Sequence, residues 1–502
     1  MHTLLSPLLL LQRFIIPALL ILLAWSAWRV VFKKDLAIGL GVYAALVVVV
    51  DGFYNTGIFL PGMAQGSIRY SEVCALFLFT ARPAAPRDSS YRNGVLLLFG
   101  LYFTLLVVAA LRASPVMQGV FDFRRIIIPQ LLGFVLAYRG LTTLADYRRF
   151  LLTLTGLMMI VGLFQLFDVI FDRWILHSDM LGKPEYYHNR KRGRYGSIFL
   201  NPNLLGAFVV LMTPPVLALV LREQVKWIRA YLVVVLLFLM FCLVETQSRA
   251  PLAAMGACIV IFVLGPVGGI SRGKRFGAVA AAIGLFAIIM PGFFTHAVGR
   301  FDTLEAEKSE EEVSRASMWI YTRGIISEHP LLGIGFGEKQ FIAVMHETDF
   351  QRRFGRDTLD NPHNSYLQGA VYAGIPCMAL FVLANLLMLI RAGRIAWSAQ
   401  NSLQPPTETF GLAVAVLGFM LSMYPDMHLF TANLAPLYWM LAGLLLAFTT
   451  RLPALAQAGA PTVEAMARTN WLTPAWRRTP ATPQKISAPP TNPEKLSSKS
   501  SS

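Results

Sequence analysis

The sequence predicts an all-α polytopic membrane protein of about twelve transmembrane helices, with one large periplasmic loop between late helices. Three observations carry that expectation. Charged residues make up only 14% of the 502, against about 25% in an ordinary soluble domain. Hydrophobic residues make up 55%, and the mean hydropathy is +0.55. Apolar runs near the roughly 20 residues that cross a bilayer recur along most of the chain.

Those runs lie at 7–32, 36–60, 94–111, 125–141, 149–171, 203–221, 229–245, 250–265, 276–295, 365–390, 408–424 and 432–450. A shorter candidate at 68–80 reads as re-entrant or interfacial and leaves N-terminal sidedness open. The first run has no basic leader and contains Arg13, so it reads as an uncleaved helix rather than a signal peptide. The net charge of +16 is spread between runs without interleaved aromatics. It therefore reads as loop charge under the positive-inside rule, and nucleic acid is not an expected partner. Cys74, Cys242, Cys258 and Cys377 sit in or beside apolar runs without close pairs, as small core residues.

Charge sets the expected sides. The segment 296–364 holds twelve acidic residues against eight basic ones, a net −4, whereas 451–502 carries seven basic against two acidic, a net +5. Three runs separate them, which places the tail in the cytoplasm and the acidic loop outside. Counting back, Arg222, Lys226 and Arg229 fall inside and Arg249 outside. The outer segment 172–202 is net +3, with Arg173, Lys183, Arg190, Lys191, Arg192 and Arg194, which suggests an anionic ligand. The expected organisation is N-terminal helices over 1–175, core helices with a basic external loop over 176–295, a periplasmic loop over 296–364, C-terminal helices over 365–452 and a disordered tail over 453–502.

Three expected outer helix starts share one chemistry: Asn201-Pro202, Arg249-Ala250-Pro251 and Asn361-Pro362-His363. Proline suits the first helical position and asparagine caps free amides, so each start aims a positive dipole end at the outer face. Converging N-termini with arginines suit a diphosphate. Punctuation alone also explains any one of them. Arg249 ends Thr246-Gln247-Ser248-Arg249; a snorkelling interfacial arginine is the plainer alternative, but the Thr-x-Ser-Arg cluster exceeds what one anchor needs and favours functional use. Arg315 and Trp319 are four apart, so a helix puts them on one face. The run Pro330-Leu331-Leu332-Gly333-Ile334-Gly335-Phe336-Gly337 reads as a structural turn rather than a phosphate loop.

His363, expected at the second residue of its helix, faces a dipole that disfavours imidazolium and keeps the ring a proton acceptor. A wet capping histidine is the plainer alternative. His177, His188, His296, His329, His346 and His428 lack such a setting. No His, Cys or carboxylate set has metal-ligand spacing, so no metal or other cofactor is expected. Asp51, Asp168 and Glu245 keep a transporter or flippase of lipid-linked glycan open as an alternative.

In order, Tyr195-Gly196-Ser197-Ile198-Phe199-Leu200-Asn201-Pro202-Asn203, Thr246-Gln247-Ser248-Arg249, Arg315 with Trp319, the 330–337 turn and His363-Asn364 followed by Gly374 resemble the O-antigen ligase and O-antigen polymerase superfamily. The resemblance implies an inner-membrane, metal-independent glycosyltransferase that takes glycan from undecaprenyl diphosphate at the periplasmic face. It implies Arg249 and Arg315 on the donor diphosphate, with Arg194 a further candidate, and His363 as the base for the acceptor hydroxyl. Asn364, Asn201, Asn203 and Ser248 would support them. Where the ligase pattern tends to Gly-x-x-Gly, this chain has Gly374-Ile375-Pro376-Cys377, which favours polymerisation of an exopolysaccharide or O-antigen over ligation to lipid A core. Transfer to a protein acceptor is a third reading. Other polysaccharide-assembly proteins are expected partners.

Overall fold

Long apolar segments become helices because lipid offers no partner for backbone N–H and C=O groups, so each segment must satisfy its own. The computed structural model describes residues 25–26, 28–29, 35–49, 57–58, 68–80, 94–141, 144–171, 193–267, 271, 273, 275–277, 280, 311–354, 361–398 and 407–457. Most of the expected runs 276–295 and 7–32, Asp51, the basic residues 173–192 and the tail beyond 457 lie outside them.

The helices are α1 Leu36–Ala45, α2 Tyr70–Thr80, α3 Gly94–Leu111, α4 Val116–Gly140, α5 Leu144–Phe171, α6 Pro202–Arg222, α7 Lys226–Glu245 and α8 Arg249–Leu264. They continue as α9 Glu311–Glu328, α10 Glu338–Glu347, α11 Phe350–Phe354, α12 Ser365–Ala373, α13 Ile375–Ser398, α14 Thr407–Ser422 and α15 Ala435–Gln457. The strands among the described residues form a two-residue antiparallel ladder, Gly57–Ile58 with Ile68–Arg69. It shows that 36–60 is not one helix throughout and that 68–80 enters as strand before α2.

Five segments are long and apolar enough to span a bilayer: Gly94–Leu111, Ala145–Ile170, Pro202–Arg222, Lys226–Glu245 and Ile375–Ser398. With shorter apolar helices such as α8 and α14 beside them, the protein is a multi-pass membrane protein. α6 is the most enclosed of the five, packed against α7, α8 and α14. α4 and α15 approach closely because Gly443 has no Cβ, which would stand 2.4 Å from the Phe134 carbonyl oxygen. Beside that crossing, the buried Trp439 ring packs against Phe99, Phe103 and Phe134, with centroids 5.1, 4.8 and 5.7 Å away. Within α4, Pro129 has no N–H for the Arg125 carbonyl, and the Arg69 guanidinium donates to that oxygen instead at 3.1 Å.

One expected helix is broken. The run 365–390 divides at Gly374, whose φ of +87° ends α12, and α13 begins one residue later. The 330–337 turn fills the break. Ile334 and Gly335 donate N–H groups to the Val371 and Tyr372 carbonyls at 2.8 and 3.2 Å, and Ile375 N–H donates to Pro330 O at 2.8 Å. The turn thereby satisfies carbonyls that a helix end leaves open. Its other edge is held by Arg112, which donates to the Leu332 and Gly333 carbonyls at the end of α3.

Ion pairs gather at the end of α6 remote from Asn201. Arg148 holds buried Glu223 at 2.6 Å, Arg222 holds Glu408 at 3.1 Å, and Asp35 meets Arg29 and Arg149 at 2.9 and 3.1 Å. Removing one member of a buried pair strands the other charge. Glu223→Gln should therefore cost on the order of 3 kcal/mol, read as a lower unfolding temperature in detergent. The double change Glu223→Met with Arg148→Met should recover part of it.

Candidate functional site

Three helix starts meet at the other end of α6. Each is preceded by a residue in the left-handed region: Leu200 (φ 61°) before Asn201, Gln247 (φ 48°) before Ser248, and His363 (φ 48°) before Asn364. With Ser197 (φ 48°), these are the non-glycine residues of positive φ among the described residues. Such backbone costs on the order of 1–3 kcal/mol each and persists where its surroundings over-determine it, often at functional sites.

The surroundings are visible at each start. Asn201 caps α6 by accepting the Asn203 N–H at 2.8 Å, with Pro202 at the first helical position as expected. Asn364 caps α12, accepting from Tyr366 and Leu367 N–H at 2.9 and 3.0 Å. Asn361 Oδ1 accepts the His363 N–H at 2.9 Å and holds its turn. These bonds correct the sequence expectation in two places. His363 lies one residue before the cap, not second in the helix, so the dipole argument does not apply to it directly. Proline takes the first helical position only at Pro202, because Pro362 precedes the cap and Pro251 is third in α8.

Side chains join the starts. Asn203 Oδ1 accepts from Ser248 Oγ at 2.7 Å and from an Arg194 guanidinium N–H at 3.0 Å, and Arg194 also donates to the Thr246 carbonyl at 3.2 Å. The Asn203 amide donates to Asp426 Oδ2 at 2.6 Å. The other carboxylate oxygen, Asp426 Oδ1, accepts the Met427 N–H at 2.8 Å and stands 3.5 Å from His363 Nδ1. That last separation exceeds a hydrogen bond, as catalytic pairs often do before substrate is present. The Asp426 carbonyl also accepts from Ser365, through its N–H at 3.0 Å and its hydroxyl at 2.8 Å, which locks the acid to the start of α12.

Burial alone would push the Asp426 carboxyl up, but the His363 ring and neighbouring dipoles hold it below the usual carboxylate range. His428, two residues on, is fully buried, and burial pushes its pKa down against the pull of Asp426. A buried anion facing a quarter-exposed imidazole is the arrangement that fixes a histidine's tautomer.

The remaining expected residues fall as follows. Arg249 is exposed at the first position of α8, directly after Ser248. Arg315 lies one turn before Trp319 on α9, and Trp319 donates its indole N–H to Pro362 O at 2.8 Å, beside His363. Asp168 and Glu245 are on α5 and α7. Asp426 is the residue that sequence reasoning missed. It is an acid in the short connection between the runs 408–424 and 432–450, and the alternation that predicts an outer His363 predicts the same side for that connection.

The family model described as O-antigen ligase matches residues 205–382, taking in Ser248, Arg249, Arg315, His363 and Asn364. No curated protein matches the chain. Arg194, Asn203 and Asp426 lie beyond the matched segment yet share its hydrogen-bond network. Within a multi-pass helical body, that match supports the O-antigen ligase/polymerase superfamily over residues 205–382.

Proposed function

We propose that the protein transfers glycan from a lipid diphosphate, of the undecaprenyl class, to a sugar hydroxyl at the periplasmic face of the inner membrane. Chain polymerisation is the favoured outcome over ligation to lipid A core. The observation that carries this reading is the Nδ1 of His363 set against buried Asp426, itself tied through Asn203 to Arg194 and to the start of the helix that bears Arg249.

In this reading Asp426 keeps a proton on Nδ1, so Nε2 carries the lone pair. The acceptor hydroxyl gives its proton to Nε2 as its oxygen bonds to the anomeric carbon. The carbon–oxygen bond to the diphosphate breaks, and the polyprenyl diphosphate leaves with that electron pair. In-line attack inverts the anomeric configuration. Charge growing on the leaving oxygens is met by Arg249 and Arg315, whose planar forks match phosphate geometry, and by the N-terminal dipoles of α6 and α8. Arg194, occupied by Thr246 and Asn203, positions that corner. A positioned base contributes typically 10²–10⁴ in rate.

The test is transfer by purified protein with a lipid-diphosphate glycan, in EDTA. His363→Ala should lower turnover by roughly 10²-fold or more. Arg249→Ala should raise the donor KM and lower turnover together. Full transfer by either variant would sink the assignment, and an absolute metal requirement would sink the metal-independent step.

A further inference from the structure

Tyr424 lies near the start of the turn that carries Asp426, and it is 60% exposed. The ring meets Trp319 edge-to-face, with centroids 5.4 Å apart and planes at 73°. Trp319 is half-buried and immobilised by its bond to Pro362 O. Tyr424 is two residues from Asp426, and Pro362 is next to His363. The circuit Trp319, Pro362, His363, Asp426, Tyr424 therefore closes on itself through contacts and chain neighbours, and Tyr424 is its exposed aromatic member.

We propose that Tyr424, backed by Trp319, is the platform on which the acceptor pyranose stacks while its hydroxyl is presented to His363. This rests on the transfer reading above and names the acceptor's subsite within it. A sugar ring presents C–H groups on one face and hydroxyls at its edge. An aromatic face accepts the first by dispersion and leaves the second free to react. The position suits the acceptor better than the donor, because the expected diphosphate ligands are cationic and Tyr424 brings no charge. An edge-on contact with a tethered indole also limits the ring's rotation, so little freedom is lost on stacking.

Tyrosine is common at membrane interfaces as an anchor, and the experiment separates the two roles. Full-length protein in lipid nanodiscs is assayed at saturating lipid-linked glycan. The acceptor is an oligosaccharide released from that same glycan and tagged at its reducing end, varied in concentration. Tyr424→Ala should raise the acceptor KM roughly three- to tenfold with the donor KM unmoved. Tyr424→Phe, which keeps the ring, should restore most of the loss. Saturation-transfer NMR of the tagged oligosaccharide without donor should show weaker transfer to its ring protons in Tyr424→Ala.

An unchanged acceptor KM in Tyr424→Ala overturns the platform, as does a change in thermal stability alone. His363→Ala is run alongside. Its inactivity with an unmoved Tyr424→Ala KM removes the platform and leaves the transfer reading, whereas active His363→Ala removes the reading itself.

Discussion

Replacing Asp426 by Asn should lower glycan turnover by roughly 10²-fold, at the lower end of what a positioned base is worth. The substitution keeps the shape and one acceptor oxygen for the Asn203 amide, and loses the bond from the Met427 N–H to the other oxygen. It removes the negative charge facing His363 Nδ1 and can offer an amide N–H there instead. The imidazole would then carry its proton on the nitrogen that must accept one. Turnover measured across acceptor concentrations should show the fall in kcat with a smaller change in KM. Undiminished turnover would remove Asp426 from the mechanism.

The same variant has a pH signature. The folded Asp426 carboxyl titrates below its unfolded value of about 3.9. A depressed carboxyl contributes stability that is present above the unfolded pKa and lost as pH falls through the folded one. The unfolding-temperature gap between wild type and Asp426→Asn should thus hold near neutrality and shrink below about pH 4. His428 has its own window: its pKa is lowered by burial, so the neutral ring's advantage begins to fail as pH drops through about 6.5. Scans of both proteins in detergent across that range separate the two.

Gly374→Ala should be the most damaging small change in the described helices. At φ +87° any L side chain is strained, and the added Cβ would stand 2.1 Å from Leu331 O and 2.4 Å from Leu331 C. Both are backbone atoms of the turn that caps α12, so no side chain can rotate aside. We expect a loss on the order of 3 kcal/mol or more, combining backbone strain with overpacking. Because α9 leads into that turn and carries Trp319, transfer should fall too. Gly393→Ala, in α13 with nothing within 4 Å of its Cβ, should be neutral or slightly stabilising. Thermal unfolding with limited proteolysis of the 311–354 segment reads both. Equal behaviour of the two variants would refute the docking of the turn.

Apolar run length located most helices to within a few residues, because a segment that must satisfy its own backbone in lipid has few alternatives. It failed at Gly374, where hydropathy stays high across the break and the cause is a turn some forty residues earlier in the chain. Run length also began α4 at 125, whereas the helix starts at Val116 and carries Asp122, Arg124 and Arg125 through its first turns. Asp122 accepts from Gln118 within α4 at 3.1 Å, whereas Arg124 pairs Glu72 of α2 at 2.7 Å, which no local pattern discloses.

For the site, Asn201 was legible as helix-start chemistry and Asn203, Ser248 and Asn364 through the family resemblance, and all four bond as caps or across starts. His363 was legible as a residue, though not its strained backbone. Residue types, spacing and alternation of charge carry the expected sidedness and the ordered motif set, since those depend on the chain's neighbours in sequence and on the membrane. That Asp426 is the acid facing His363, and that Asn203 links it to Arg194 and Ser248, was decided only by tertiary packing. Contacts spanning 45 to 223 residues are set by which helix ends converge, and every exposed or buried acid looks alike until that convergence gives one of them a base to face.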